Sequence, residues 1–463
     1  MDLSGKLWSF CNKLRHDGVD ASDYIEQLTY LLFLKMADEK QVKVPKQFDW
    51  KSLVTKDEKS LIPHLEVMME KLKQQQGLLG DIFAQPVSRV RNASILKSLI
   101  EEINSINWSI IDADIVGIAF EELIGRVANE GKKGAGQYFT PRPLIESIVR
   151  VMKPDPTVKP TFRICDVACG TAGFLVSSLE WLKHSNSFKT LSIAKRKSIL
   201  KKSYFGQELV QRPRRLALMN MFLHGAEAQI DLTDTIYGNT STINYDCILT
   251  NPPFGNKGAN EVPKRNFPVK TSDKQLNFIQ HVIERLAADG RAAMVLPDGC
   301  LNSEAAIKLW SYYLNKENSK NNVINIHTVL KLPEGVFASY ANGVKACVIF
   351  FQKGKETKKM WIYDGRKNQV KITTKSNILN SEHFIGFEKA YGTDPNGAGK
   401  RHVGDRFKFY TKEQIIASGY DLSFTEIHKP EALRNPKLIL DEMIADYESK
   451  IAALKKLRNQ LTT

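Results

Sequence analysis

The sequence is poor in cysteine, and its few cysteines follow no spacing that metal or disulfide chemistry uses. Of 463 residues only Cys11, Cys165, Cys169, Cys247, Cys300 and Cys347 are cysteines. They are scattered, mostly inside apolar runs, without paired C-x-x-C motifs or His-x-x-x-His spacing, so no metal site is expected and buried, reduced thiols are. Long hydrophobic runs are missing as well. Stretches such as Ala346–Phe351 fall far short of the ~20 residues that span a bilayer. The N-terminus, Met1-Asp2-Leu3-Ser4-Gly5-Lys6, has no apolar signal core, so a cytoplasmic protein without membrane contact is expected. Nor is there an acidic excess: the formal net charge is +15, which suits a polyanionic partner such as nucleic acid. With 42% hydrophobic and 25% charged residues the composition is that of a globular protein, and the length allows two or three domains.

Three regions differ in periodicity. Up to about residue 130 the pattern is helical: Ile25, Leu28, Leu31, Leu32 and Met36 recur at helical spacing, as do Ile115, Ile118, Leu123 and Ile124. The small, polar stretch from Asn129 to Gly136 marks a boundary or mobile loop. From Phe162 onward, strands are expected at 162–168, 203–209, 228–233, 246–250, 292–297, 323–331 and 345–352. Helices at 173–184, 213–224, 275–288 and 303–315 lie between them. This alternation predicts an α/β fold with a mostly parallel, doubly wound sheet, the closely spaced last pair forming an antiparallel edge, and ligands at the carboxyl ends of the first strands. In the last forty residues Leu440, Ile444, Tyr447, Ile451, Leu454, Leu457 and Leu461 fall on steps of three or four. They predict a terminal helix with a narrow apolar seam, for the same chain or for a partner subunit.

Three motifs carry chemistry. Ile164-Cys165-Asp166-Val167-Ala168-Cys169-Gly170-Thr171-Ala172-Gly173-Phe174 reads as a strand entering a small-residue turn that opens a helix, where backbone amides can approach a ligand closely. Phe205-Gly206-Gln207-Glu208 ends the second strand on a carboxylate, the position that binds ribose hydroxyls in such folds. Asn251-Pro252-Pro253-Phe254 follows the apolar strand Cys247-Ile248-Leu249-Thr250. Its prolines stiffen the loop, the Asn251 amide oxygen and the Pro252 carbonyl can each accept an N–H of an exocyclic amine, and Phe254 can stack on a planar ring.

Asp166 to Phe174 and Asn251 to Phe254 resemble the two hallmark motifs of S-adenosylmethionine-dependent methyltransferases acting on adenine N6 in DNA. Gly136-Gln137-Tyr138-Phe139-Thr140-Pro141-Arg142 resembles the cofactor motif that precedes the sheet in the gamma arrangement, in wording characteristic of the modification subunits of type I restriction-modification systems. The resemblance implies a Rossmann-like methyltransferase domain at 135–425, an all-helical N-terminal domain at 1–134, and a C-terminal helical segment at 426–463 for subunit contact. It implies cofactor contacts from Gln137, Tyr138, Phe139, Thr140, Pro141 and Arg142 at the methionine end. Asp166, Gly170, Thr171, Ala172 and Gly173 would line the amino acid and sugar, and Glu208 would hold the ribose. Catalysis would fall to Asn251, Pro252, Pro253 and Phe254. Where this chain has Ala172 the family commonly has Gly, whose absence is expected only to narrow backbone approach. Asp234 or Asn239 would contact the cofactor adenine.

The implied partners are double-stranded DNA with its target base flipped out, a separate specificity subunit shared by two modification chains, and a restriction subunit in the cleaving complex. The segment Asn256–Thr271, with Lys257, Lys264, Arg265 and Lys270, either orders on the DNA backbone or stays a solvated loop. A protein glutamine N5-methyltransferase shares the Asn-Pro-Pro-aromatic loop but is shorter and lacks the motif at Gln137–Arg142. Enzymes of cytosine N4 usually begin the loop with Ser. A catalytically silent cofactor-binding scaffold is opposed by the intact Asn251, Glu208 and Gly170.

Overall fold

The computed structural model describes residues 2–16, 21–130, 140–238, 242–255, 261–338, 343–367 and 369–424, with scattered positions between 440 and 455. Gln137, Tyr138, Phe139, Asn239, Lys257, Leu454, Leu457, Leu461 and the Gly-rich stretch from 131 lie outside the described residues. Among them, no helix is long and apolar enough to cross a membrane. All six cysteines are buried.

Among the described residues, those up to 163 contribute helices and loops, and the first strand begins at Ile164. The Ala21–Glu39 helix buries Ile25, Leu28, Leu31, Leu32 and Met36. It also buries Tyr24, Tyr30, Phe33 and Leu34 together with the polar Glu26, Gln27, Thr29 and Lys35, so it is covered on nearly every side and runs through the interior. In the Ala113–Glu130 helix the buried stripe is Val116, Ala119, Phe120, Leu123, Ile124 and Val127. Ile115 and Ile118, expected on that stripe, are 54% and 46% exposed. The helix is turned by its neighbours toward the side carrying Phe120, which periodicity alone weighs equally.

A nine-stranded sheet follows: β1 (Ile164–Asp166), β2 (Tyr204–Glu208), β3 (Ala228–Leu232), β4 (Tyr245–Thr250), β5 (Leu286–Pro297), β6 (Ile324–Lys331), β7 (Ala346–Lys353), β8 (Lys359–Asp364) and β9 (Phe407–Thr411). Their spatial order is β3-β2-β1-β4-β5-β7-β6-β8-β9. The first five strands are parallel neighbours, and β1 feeds β2 on one side while β4 lies on the other. That reversal opens a crevice above the carboxyl ends of β1 and β4.

The expected antiparallel edge is present, but β9 forms it against β8, not the closely spaced pair β6 and β7. Strand β7 is antiparallel to both β5 and β6 but lies inside the sheet, because β8 continues it parallel to β6 and β9 closes it antiparallel to β8. Strands β8 and β9, which the sequence pattern does not predict, are short aromatic strands held through Trp361 stacked on Phe407 at 4.6 Å.

The helical region and the sheet share one compact unit through Leu422. The Gln211–Leu223 helix is buried along nearly its whole length and joins them. Arg215 Nε donates to the Ile82 carbonyl (2.6 Å), its Nη2 to that of Ala84 (2.6 Å), and its guanidinium pairs with Glu26. Arg214 bridges Asp81 (2.7 Å) and the Ile230 carbonyl of β3 (2.6 Å). Residues from Ser423 form a separate unit, whose described positions Leu440, Ile444, Tyr447 and Ile451 are helical and exposed.

Candidate functional site

A cavity of about 460 Å³ opens at the carboxyl ends of β1, β2 and β4. Asp166, Gly170, Thr171, Gly173, Glu208, Asp234, Asn251, Pro253 and Thr140 line it. Residues far apart in sequence thus converge because most of them end a strand or lie in the turn after it, while Thr140 comes in just ahead of the Arg142–Met152 helix.

Gly170 takes a left-handed backbone (φ +54°), which glycine adopts without Cβ strain. Its N–H is thereby turned onto Glu208 Oε2 at 2.9 Å, while Val210 N–H donates to Oε1 at 2.9 Å. Each Glu208 oxygen keeps acceptor capacity, enough for two hydroxyls. Burial raises the Glu208 carboxyl above its ordinary range, and the backbone N–H bonds of Val210, Gly170 and Leu209 oppose that rise. Asp166 is pushed up to about 7, chiefly by burial and further by the Glu208 charge, against the Thr250 and Ala168 hydrogen bonds. Both bonds go to Oδ1, from Thr250 Oγ1 at 2.7 Å and Ala168 N at 3.0 Å. At Gly173 a Cβ would come within 2.9 Å of Ile145 Cδ1, so the helix after the turn packs on that residue.

Asn251 Nδ2 donates to Thr140 Oγ1 at 2.8 Å, and Asn251 Oδ1 is buried with no hydrogen-bond partner among the described residues. The loop after it is pinned by Gln275 Nε2, which donates to the Pro253 carbonyl at 2.7 Å. Pro252 is buried, and neither it nor Phe254 lines the cavity. The half-buried Phe254 ring stands edge-on to Phe337, centroids 5.6 Å apart.

Three expected cofactor contacts lie outside the cavity lining. Arg142 lies outside the cavity lining and pairs with Glu121, Glu146 and Glu180 on three helices. Pro141 lies beside it, outside the lining too. Glu121, Glu180 and His224 bring donor atoms within 4.8 Å of one another, but the Arg142 guanidinium already pairs with both carboxylates. Ala172 is fully buried in the core with φ +69°. Its methyl packs inward and does not narrow the cavity; what the family's glycine eases at this position is the backbone conformation.

Asp234 lines the cavity, its Oδ1 accepting the N–H groups of Ile236 (2.9 Å) and Tyr237 (2.8 Å). Ile236, Tyr237, Lys274 and Phe278 complete the wall and were not singled out in the sequence, where they sit in loops or on a helix without a motif. Arg265 is turned inward, donating to the Thr235 carbonyl (2.9 Å), to His281 Nδ1 (2.8 Å) and to Glu284 (2.5 Å). It therefore anchors the loop and is not available to a phosphate. An arginine only donates, so His281 Nδ1 accepts and Nε2–H donates to Gln207 Oε1 at 3.2 Å. Burial and the Arg265 and Arg285 charges keep His281 neutral, its pKa well below the ordinary range.

Residues 111–435 match the N-6 DNA Methylase family, and residues 3–103 match the HsdM N-terminal domain. The chain is similar to the type I restriction enzyme StySPI methylase subunit of Salmonella potsdam, 34% identical over 92% of this chain and 83% of that one. It is 33% identical, with the same coverage, to the EcoKI methylase subunit of Escherichia coli K12. Among solved structures, a chain described in work on complex assembly and conformational transition of the type I R-M system superposes with TM-score 0.74, at 26% identity over 99% of this chain and 98% of that one. The crystal structure of the EcoKI M protein matches with TM-score 0.56, at 27% identity over 100% and 97%.

Proposed function

Because the chain belongs to the N-6 DNA methylase family, as a modification subunit of the type I restriction class, we propose that it methylates N6 of an adenine extruded from duplex DNA. The observation that carries this reading is the buried, unpartnered Asn251 Oδ1 at the cavity shared with Asp166 and Glu208. An orphaned acceptor beside a carboxylate-lined crevice fits an amine donor presented next to a nucleoside-bearing cofactor.

The fit to S-adenosylmethionine rests on the donor set. Glu208 offers one acceptor per oxygen to the ribose hydroxyls, and Asp166 Oδ2 remains for the ammonium. Gly170, Thr171 and Gly173 bring the turn close, and Asp234, which lines the same cavity, accepts from the adenine amine. When bound, this cofactor supplies a sulfonium methyl that needs no further activation. The adenine amine is a weak nucleophile because its lone pair is delocalised into the ring. Asn251 Oδ1 and the Pro252 carbonyl accept its two N–H groups, favour a pyramidal nitrogen and stabilise the positive charge that develops there. Phe254, braced by Phe337, stacks on the extruded base and recovers part of the flipping cost of a few kcal/mol.

The proposed partners are duplex DNA, a specificity subunit docked partly on the segment 426–463, and a restriction subunit in the cleaving assembly, with two modification chains per specificity chain. Residues 1–134 form the helical domain of this scheme and 135–425 the catalytic one. The test is transfer of tritium from labelled S-adenosylmethionine to DNA with and without the specificity subunit, followed by nucleoside analysis. Label in N6-methyladenine only with the partner present supports the reading; label on protein refutes it. Asn251→Ala is expected to abolish turnover and leave cofactor affinity within about twofold, since a side-chain acceptor for the amine is lost and the cofactor groups remain.

A further inference from the structure

Thr140 lies in the segment assigned to the cofactor, but its one described hydrogen bond goes to the catalytic loop. Its Oγ1 accepts from Asn251 Nδ2 at 2.8 Å across 111 residues of sequence. Thr140 is itself held. It stands two residues before Arg142, whose guanidinium is gripped by Glu121, Glu146 and Glu180, at the start of the Arg142–Met152 helix.

The Asn251 amide has two unlike ends. Only Oδ1 can accept a proton of the substrate amine; Nδ2 in its place would set donor against donor. With Nδ2 bonded to Thr140, Oδ1 is the end left over, and it is buried without a partner. Oδ1 is thereby left as the acceptor that an incoming amine can use, while one amide N–H is already paired.

We propose that Thr140 is a positioning residue for methyl transfer: its hydroxyl takes the Asn251 Nδ2–H and holds the amide with Oδ1 toward the substrate amine. This rests on the functional reading above. Thr140→Val keeps the shape and removes the acceptor, so the productive orientation buries an unpaired N–H. The expected loss is roughly 10- to 100-fold in single-turnover kcat, with S-adenosylmethionine affinity within about twofold of wild type. Thr140→Ser retains the hydroxyl and restores most of the turnover.

A second measurement separates orientation from general support. In the assembled modification complex, affinity is compared for duplexes carrying adenine or purine, which lacks the exocyclic amine, at the target position. The difference in base pairing is common to both proteins and cancels between them. The preference for adenine over purine is expected to fall by roughly tenfold in Thr140→Val. Wild-type turnover in Thr140→Val, equal losses in the Val and Ser variants, a loss confined to cofactor affinity, or an unchanged preference for adenine would each overturn the proposal. If the Val variant does not fold, Thr140→Ala provides the same comparison. A wild type that places no methyl on adenine N6 refutes the functional reading and this proposal together; an active wild type with an unaffected variant refutes this proposal alone.

Discussion

Asp166 shows how one buried carboxyl ties pH to ligand binding. In the ligand-free fold its pKa is raised to about 7, so the folded state holds a proton that the unfolded chain releases at ordinary carboxyl values. The resulting stabilisation is full in acid and is lost as pH rises through about 7. A cationic ammonium prefers the ionised form, so S-adenosylmethionine affinity is expected to fall about tenfold per unit as pH drops below about 7. Calorimetric titration across that range, with Asp166→Asn abolishing the dependence, is the check. Ala172 makes a different point. Its left-handed backbone carries ~1 to 2 kcal/mol of strain, while its buried methyl contributes about 0.8 kcal/mol, so Ala172→Gly is expected to shift stability by no more than about 1 kcal/mol in denaturant unfolding and to leave cofactor affinity unchanged. Asp166, Glu208 and Asn251 could be read from sequence because each lies where an apolar strand gives way to a turn over the sheet: Asp166 and Glu208 close β1 and β2, and Asn251 follows β4. The direction of Ala172 and Arg142 could not, since a residue at a helix start faces whichever neighbours the fold supplies.

Among elements, the Gln211–Leu223 helix holds the molecule together through charge buried inside it. Arg215 is 1% exposed and its pKa is lowered to about 10 by burial, yet it satisfies two carbonyls of the segment near residue 83 and the Glu26 carboxylate. Arg215→Ala strips those carbonyls of their donor and leaves the buried Glu26 with only Arg212, at 3.4 Å, a loss of about 3 to 5 kcal/mol, expected as a marked fall in Tm of the ligand-free chain. The sequence marks a helix here by spacing, but its three arginines look like a solvated face. They are legible as cross-links only once Asp81, Glu26 and the 82–85 backbone are brought alongside. Strands β8 and β9 were missed for a similar reason: five or six residues with mixed burial become strands by pairing with β6 and with each other.

For the whole molecule, the exposed side chains of Leu440, Ile444, Tyr447 and Ile451 place the docking prediction outside the catalytic unit. Replacing Ile444 and Ile451 with Glu is expected to prevent co-purification with a specificity subunit, as read by size-exclusion chromatography, while cofactor affinity stays unchanged. Equal loss of both would show that the helix supports the fold of the catalytic unit. The sequence by itself determined where the first seven strands lie, to within a few residues, the alternation that makes the sheet, the small-residue turn after β1 and the amide-proline loop at Asn251, because these follow from local propensity and hydrophobic period. Only the tertiary structure decided that β7 lies inside the sheet, that Arg142 clamps helices instead of lining the cavity, and that Thr140 meets Asn251. Contacts between residues a hundred positions apart depend on how whole elements pack, and no local pattern encodes that.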